Sequence, residues 1–216
     1  MGPVIVGTDI GQKVDPTAIA VCEQQWRVHD GRADDHYLVR HLERLPLNTP
    51  YPEVAQRVRA VVLGVLGRGA SSVTLFVDAT GVGQPVVDLL AGVGVPVRPV
   101  YFTHGDKRVE QQNRTVSLGK AWLVSRLQAL LQTGRILLPK TSEADVLARE
   151  LLDYELRVDQ DANERYGAFK VGSHDDLVTA LGLAVQEPPA CVDGSPAGGP
   201  VTWPLGHRLH TPAYRR

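Results

Sequence analysis

Apolar positions in this chain recur at two spacings, and the spacing changes along the sequence. Near the start they come as short runs and alternations. Val4 to Val6 lead into Gly7-Thr8-Asp9-Ile10-Gly11, and residues 3–9 read as a first strand. The run Thr17-Ala18-Ile19-Ala20-Val21 places a second strand over 17–26, and His36-Tyr37-Leu38-Val39-Arg40-His41-Leu42-Glu43-Arg44 a third. Short polar links between them, Asp30 to Asp35 among them, predict an antiparallel meander. Pro50 and Pro52 then introduce a change of period. Val54, Val58, Val61, Val62 and Val65 recur at helical spacing until Gly67 and Gly69.

The second half alternates strands with helices. Ser72-Val73-Thr74-Leu75-Phe76-Val77-Asp78 is a mostly apolar run of strand length, as expected of a buried parallel strand. A helix is predicted from about Pro85 to Leu90, then a strand over Val95–Phe102. Residues 103–114 are polar and read as an exposed loop. Residues 116–132 predict an amphipathic helix with Leu118, Trp122, Leu123, Leu127, Leu130 and Leu131 on its apolar face, closed by Gly134. Arg135 to Leu138 is a short strand stopped by Pro139. Ser142 and Glu143 open a helix through about Leu156, with Val146, Leu147, Leu151 and Leu152 inward. Residues 157–170 predict a β-hairpin. The last helix opens at Ser173-His174-Asp175-Asp176, and its small residues Ala180, Gly182 and Ala184 imply close packing on the sheet. The fold class is therefore α/β: three antiparallel strands, then parallel strands, flanked by helices, with an auxiliary hairpin.

After Gln186 periodicity stops. Residues 187–216 are rich in Pro and Gly and read as a tail, which divides the chain into a domain over 1–186 and an extension. Composition adds constraints rather than direction. A net charge of −1 among 216 residues excludes a globally basic surface, so any nucleic-acid binding must use a local patch. The two cysteines, Cys22 and Cys191, are too few and too far apart for a disulfide framework. No apolar stretch approaches the roughly 20 residues needed to span a bilayer, so no membrane partner is expected.

What changes the picture is where the acids fall. Asp9 and Asp78 each end a predicted strand, and Asp175 and Asp176 open the last helix. If the first and fourth strands are parallel neighbours, Asp9 and Asp78 emerge side by side, and a helix packed on the sheet can aim Asp175 or Asp176 at the same spot. Carboxylates cannot share a pocket in ionised form without something to neutralise them. Oxygen-rich acidic clusters suit Mg2+ or Mn2+, and a pair of such ions supports phosphodiester hydrolysis. Each acid also has a plainer use. Asp78 before Ala-Thr-Gly suits an Asx turn, and Asp175 or Asp176 suits a helix N-cap. His174 is a possible accessory to metal or water, or a helix-start residue at the surface.

Taken together, Gly7-Thr8-Asp9-Ile10-Gly11, Asp15-Pro16-Thr17-Ala18-Ile19-Ala20, Val77-Asp78-Ala79-Thr80-Gly81-Val82-Gly83 and Gly172-Ser173-His174-Asp175-Asp176-Leu177-Val178-Thr179-Ala180-Leu181 resemble the nuclease domain of bacteriophage terminase large subunits. The resemblance covers about residues 3–186. It implies an RNase H-like fold of the RuvC/resolvase superfamily and an endonuclease that uses two Mg2+ or Mn2+ ions to cut double-stranded phage DNA during genome packaging. By motif position Asp9, Asp78, Asp175 and Asp176 would be the metal-binding, catalytic acids. The family carries a hairpin before its last helix that is proposed to meet DNA, where residues 157–170 fall. Lys107, Arg108 and Arg114, with Arg157 and Lys170, are the candidates for phosphate contact. The implied partners are double-stranded DNA, the portal, the small terminase subunit and an ATPase domain, in the cytoplasm of an infected bacterial host. No Gly-x-x-x-x-Gly-Lys-[Ser/Thr] run occurs in these residues, so the chain reads as a nuclease domain apart from its motor.

Other signals are weaker. Asp159 to Asn163 imitates the start of a calcium loop but lacks its glycine and closing glutamate. Asp9-Ile10-Gly11 also suits the phosphate loop of actin-like or sugar-kinase-like phosphotransferases, which need two such domains. A Holliday-junction resolvase and a non-catalytic DNA- or portal-binding module are the remaining alternatives.

Overall fold

The computed structural model describes residues 1–29, 32–81, 84–158, 164–167 and 174–187. The elements in chain order are β1 (Pro3–Asp9), β2 (Ala18–His29), β3 (Arg32–Arg44), α1 (Tyr51–Gly67), β4 (Ser72–Asp78), α2 (Gln84–Gly92) and β5 (Arg98–Thr103). They continue with β6 (Arg108–Glu110), β7 (Val116–Gly119), α3 (Lys120–Gln132), β8 (Ile136–Leu137), α4 (Ser142–Asp153), β9 (Glu155–Val158), β10 (Glu164–Gly167) and α5 (Asp176–Ala184). Eight strands form one sheet in the order β6-β7-β5-β4-β1-β2-β3-β8. β1, β2 and β3 are the expected antiparallel meander, and β1 pairs in parallel with β4, β4 with β5, and β5 with β7. This is the mixed α/β, RNase H-like sheet expected from the sequence.

Both faces of the sheet are buried, and the two-residue period of the strands sorts side chains between them. Val4 and Val6 of β1 and Leu75 and Val77 of β4 pack with Val54, Val58, Val62 and Val65 of α1 and with Val86 and Leu90 of α2. Ile5 and Phe76 point the other way, into a core shared with α3, α4 and α5. α5 is the central helix of that second layer, with all nine of its residues buried. It lies so close to β1 that a Cβ on Gly7 would stand 2.1 Å from the Ala180 carbonyl oxygen. Gly182 serves a different contact than the expected one with the sheet: its missing Cβ admits Leu123 of α3.

Three predicted elements are corrected. The helix expected over 116–132 begins as strand β7, because Val116 and Leu118 are core positions of a strand paired with β5. Only from Lys120 does the chain coil. The polar loop over 103–114 contains edge strand β6, which pairs with β7. In α4 Val146, Leu147 and Leu151 face the core as expected, but Leu152 is 86% exposed and Ala144 and Glu150 are buried instead. Predicted helix boundaries are matched where local chemistry marks them. Thr141 caps α4 by accepting from the Ala144 N–H, and Gly134 follows α3 at φ 67°. The expected hairpin is present as β9 paired antiparallel with β10, but it begins at Glu155, so the helix expected through about Leu156 stops at Asp153. Lys170, the turn at Asp159–Asn163 and the tail from 188 lie outside the described residues.

Candidate active site

Strand register builds the site. Asp9 of β1 faces Ala18 of β2, which faces Arg44 of β3. Thr8 faces Val77 of β4, so Asp78 stands beside Asp9 one step on. Directly paired residues project to the same face, and two-residue alternation from Ile5 and Phe76 assigns that face. Arg44, Ala18, Asp9 and Asp78 therefore form a row across four strands beneath the N-terminus of α5. Ala18 is the small member of the row, between Asp9 and Arg44.

The four expected aspartates come within electrostatic range of one another. The Asp9 carboxyl is held well above the ordinary carboxylate range, first by burial and then by the charges of Asp78, Asp175 and Asp176. Lys120, the first residue of α3, works in the opposite direction. Its ammonium sits 5.4 Å above the Phe102 ring. Asp78 uses one oxygen to accept from the Thr80 N–H at 2.8 Å, the Asx turn that its sequence context suggested. Thr80 in turn accepts through its hydroxyl from the Phe102 N–H at 2.8 Å, which ties the β4 end to β5.

Asp175 is the N-cap residue of α5, at φ −130°, and its side chain makes no capping bond to the helix. Asp176 is 2% exposed and accepts from both Nε and Nη2 of Arg44, the latter at 3.0 Å. The same Nη2 donates to Glu150 of α4. His174 bridges toward the β1–β2 loop, with Nδ1 3.5 Å from Asp15 and 3.9 Å from Asp176. Asp9, Asp175 and Asp176 open on a cleft of about 380 Å3 whose other wall is the loop Ile10 to Pro16 with Tyr51 and Gly81. In that loop Thr17 exchanges two bonds with the Gly11 backbone, at 3.2 and 2.9 Å, which fixes its return into β2.

The donors here are carboxylate oxygens, which suit hard divalent cations. A cation would offset the repulsion that loads onto Asp9. Among the described residues no group of three or more His, Cys, Asp or Glu is packed tightly enough to hold a metal ion as it stands. The aspartates gather at electrostatic range, not as a closed ligand shell.

The phosphate-contact candidates separate. Lys107 and Arg114 are exposed. Arg108 is turned inward: its Nε donates to Gln186 at 3.1 Å, and Glu110 lies beside it at 3.6 Å. Arg157 is a β9 residue opposite Arg165. Sequence reading passed over Arg44, Glu150 and Lys120. The signal for Glu150 was present, since it falls three residues after Leu147 on the inward stripe of α4.

The sequence matches no protein-family model and no curated protein. Its fold matches solved structures. The large terminase nuclease of thermophilic phage G20c, solved with bound magnesium, superposes with a TM-score of 0.60 at 20% identity, covering 85% of this chain and 80% of that one. The large terminase nuclease domain of Thermus phage P74-26 gives 0.55 at 18% identity over 84% and 77%. The human cytomegalovirus terminase nuclease domain gives 0.55 at 14% identity over 89% and 84%. The chain that gathers Asp9 and Asp78 at strand ends beneath Asp175 and Asp176 thus has a fold similar to that of large terminase nucleases.

Proposed function

We propose that this chain is a divalent-metal-dependent endonuclease that cuts double-stranded DNA during phage genome packaging, as the nuclease part of a terminase large subunit. The observation that carries the reading is the row of strand-end acids Asp9 and Asp78 under the Asp175/Asp176 helix start, in a fold shared with terminase nucleases. Asp9 and Asp78, with the Asp175/Asp176 pair, would hold Mg2+ or Mn2+. A pair of such ions supplies an activated water and stabilises the leaving oxygen in phosphodiester hydrolysis. The chain's own residues do the rest. The backbone of β1 and β4 sets Asp9 beside Asp78, and Thr80 orients the Asp78 carboxylate. Lys120 brings a positive charge to the same edge, where a phosphate must approach acids. The reading extends to the domain division at residue 186, to portal, small subunit and ATPase domain as partners, and to action in the host cytoplasm.

The test is cleavage of supercoiled plasmid in Mg2+ or Mn2+. Nicked and then linear product is expected from the wild-type chain. Asp9→Asn should abolish product while metal-free binding to duplex DNA persists or tightens, since one phosphate-repelling charge is gone. Intact plasmid across the divalent metals would overturn the reading. Cleavage of four-way junctions but not of linear duplex would move it to a resolvase.

A further inference from the structure

β3 carries a second feature, away from the acidic cleft. It bulges at Arg40: Val21 of β2 faces His41 and Cys22 faces Val39, so Arg40 has no partner across the pair. Val21 packs with α1 and Val39 with the opposite core. The extra residue lets Arg40 and His41, though consecutive, line one cavity. Its other wall is α1, which presents Arg57, Ala60, Val61, Gly64 and Arg68 at helical spacing, over a floor of Val21 and Val65. Among the described residues no acid lines this cavity. Two carboxylates stand behind the arginines instead. Glu23, 4% exposed, accepts from the Gly2 N–H at 2.9 Å and from Arg40 Nε at 2.8 Å. Glu43 accepts from Arg57 Nε at 2.8 Å and Nη2 at 2.9 Å, and His41 Nε2 lies 2.9 Å from it. Such forked contacts hold a guanidinium in one orientation. Arg68, the C-cap residue of α1, is exposed and has no acidic partner among the described residues, so one positive charge is left uncompensated.

We infer that this cavity docks an acidic segment of a partner protein, with a glutamate side chain laid on the valine floor and its carboxylate met by the arginines. The cavity holds about 180 Å3. That is below the roughly 300–1,000 Å3 of small-molecule and cofactor sites, so it receives a side chain of a larger surface. The floor argues against DNA: a phosphodiester has no apolar stem to bury on Val21 and Val65. A duplex is held by cations that shed their counterions, whereas Arg40 and Arg57 already carry carboxylates. The approach is open. A Cβ added at Gly64 would meet nothing within 4 Å, so a partner backbone can come close to α1. β8 pairs only with Tyr37 and Leu38, which leaves the β3 edge beside Arg40 uncovered among the described residues. Tyr51, at the start of α1, lines the acidic cleft, and Gly64 stands about 20 Å further along the helix axis. A partner docked here therefore leaves the cleft free for substrate. The surface goes beyond the nuclease reading and does not depend on it.

The experiment is fluorescence anisotropy of the full chain with a short labelled peptide of alternating glutamate and alanine, over a salt series. The wild-type chain is expected to bind it, more weakly as salt rises, and to ignore the matching lysine–alanine peptide. Arg68→Glu should weaken binding by about 10-fold, because an attraction becomes a repulsion. Ala60→Glu, at an exposed position on the same wall, should act by a similar factor and guards against an effect peculiar to the helix end. Both variants should keep the wild-type melting temperature and plasmid cleavage. A wild-type chain that does not bind the peptide, or two variants that bind it as wild type does, would overturn the inference. So would a matching fall in metal-free affinity for duplex DNA, which would make the patch a DNA surface. Self-association in sedimentation that either variant abolishes would make it an interface between copies, and would equally overturn it. Plasmid left uncut by a wild-type chain whose peptide binding follows these variants would sink the nuclease reading alone.

Discussion

Asp9 shows how a single side chain can oppose the fold that positions it. Its carboxyl is shifted upward by burial first and by three neighbouring acids second. A carboxyl raised in the folded state favours folding fully only below its ordinary value of about 4, and that contribution is lost as pH climbs through the raised value. Metal-free wild-type protein should therefore lose stability with rising pH more steeply than Asp9→Asn, whose amide does not titrate. The melting-temperature advantage of Asp9→Asn should widen from acid to neutral pH, by about 2–4 °C for each kcal/mol of relieved repulsion in a chain of this size. A gap that narrows with pH would contradict this electrostatic account. The place of Asp9 at the end of β1 was readable in advance, because it stands between a buried apolar run and a glycine turn. Arg44 was not, because its role depends on a register across three strands and on two helices far away in sequence.

At the scale of elements, local patterns located helices better than they assigned faces. α4 was expected to turn Leu151 and Leu152 inward as neighbours of Val146 and Leu147. Val146, Leu147 and Leu151 do pack against the core, but Leu152, turned about 100° beyond Leu151, falls outside that face. Packing buries Ala144, Leu147 and Glu150 and leaves Leu152 in solvent. Leu147→Ala should then cost about 2–5 kcal/mol in chemical denaturation, while Leu152→Ala should stay within about 0.5 kcal/mol. Equal losses would mean that α4 is rotated from this orientation. Strand β7 was hidden for a related reason. Leu118 and Trp122 are four apart and fit a helix, whereas the pairing of Val116 and Leu118 with Val100 and Phe102 is a long-range fact. Gly119, whose added Cβ would stand 2.2 Å from the Gly105 carbonyl oxygen, marks the change to α3. Gly7 carries the strongest element-scale demand, because a side chain there meets the backbone of α5 at 2.1 Å. Gly7→Ala must push β1 and α5 apart. It should cost more than the roughly 1–3 kcal/mol of ordinary overpacking and should depress Mn2+ binding along with stability, since Asp9 and Asp175 ride on the two elements.

The whole molecule poses an electrostatic problem, because a chain of net charge −1 with an acidic cleft must still hold a polyanion if it cuts DNA. The antiparallel meander and the parallel strands after it were legible in the sequence, while the β1–β4 pairing that sets Asp9 beside Asp78 was only a condition there and the strands β6 and β7 were not read at all. The distribution of cations around that sheet edge was not legible either, because neighbouring positively charged residues serve different ends. The Gly119 N–H donates to the Lys107 carbonyl at 2.8 Å, which sets Lys107 beside Lys120 at the end of β5 and β7. Lys120 acts on the charge of Asp9, and Lys107 is exposed at the same strand end. Arg108, next in sequence to Lys107, is spent inside the fold on Gln186 and Glu110. Each lysine that neutralises one phosphate contributes about 0.9 to the slope of log affinity against log salt. In metal-free buffer, where cleavage does not interfere, Lys107→Ala and Lys120→Ala should each lower that slope for a short duplex by about 1. Arg108→Ala should leave the slope alone and lower the melting temperature instead, because it strips a half-buried contact between β6 and the end of α5. Anisotropy titrations over a salt series read all three. A slope change for Arg108→Ala equal to that of the lysines would place DNA across β6, and unchanged slopes for both lysines would move the DNA path to another side of the cleft.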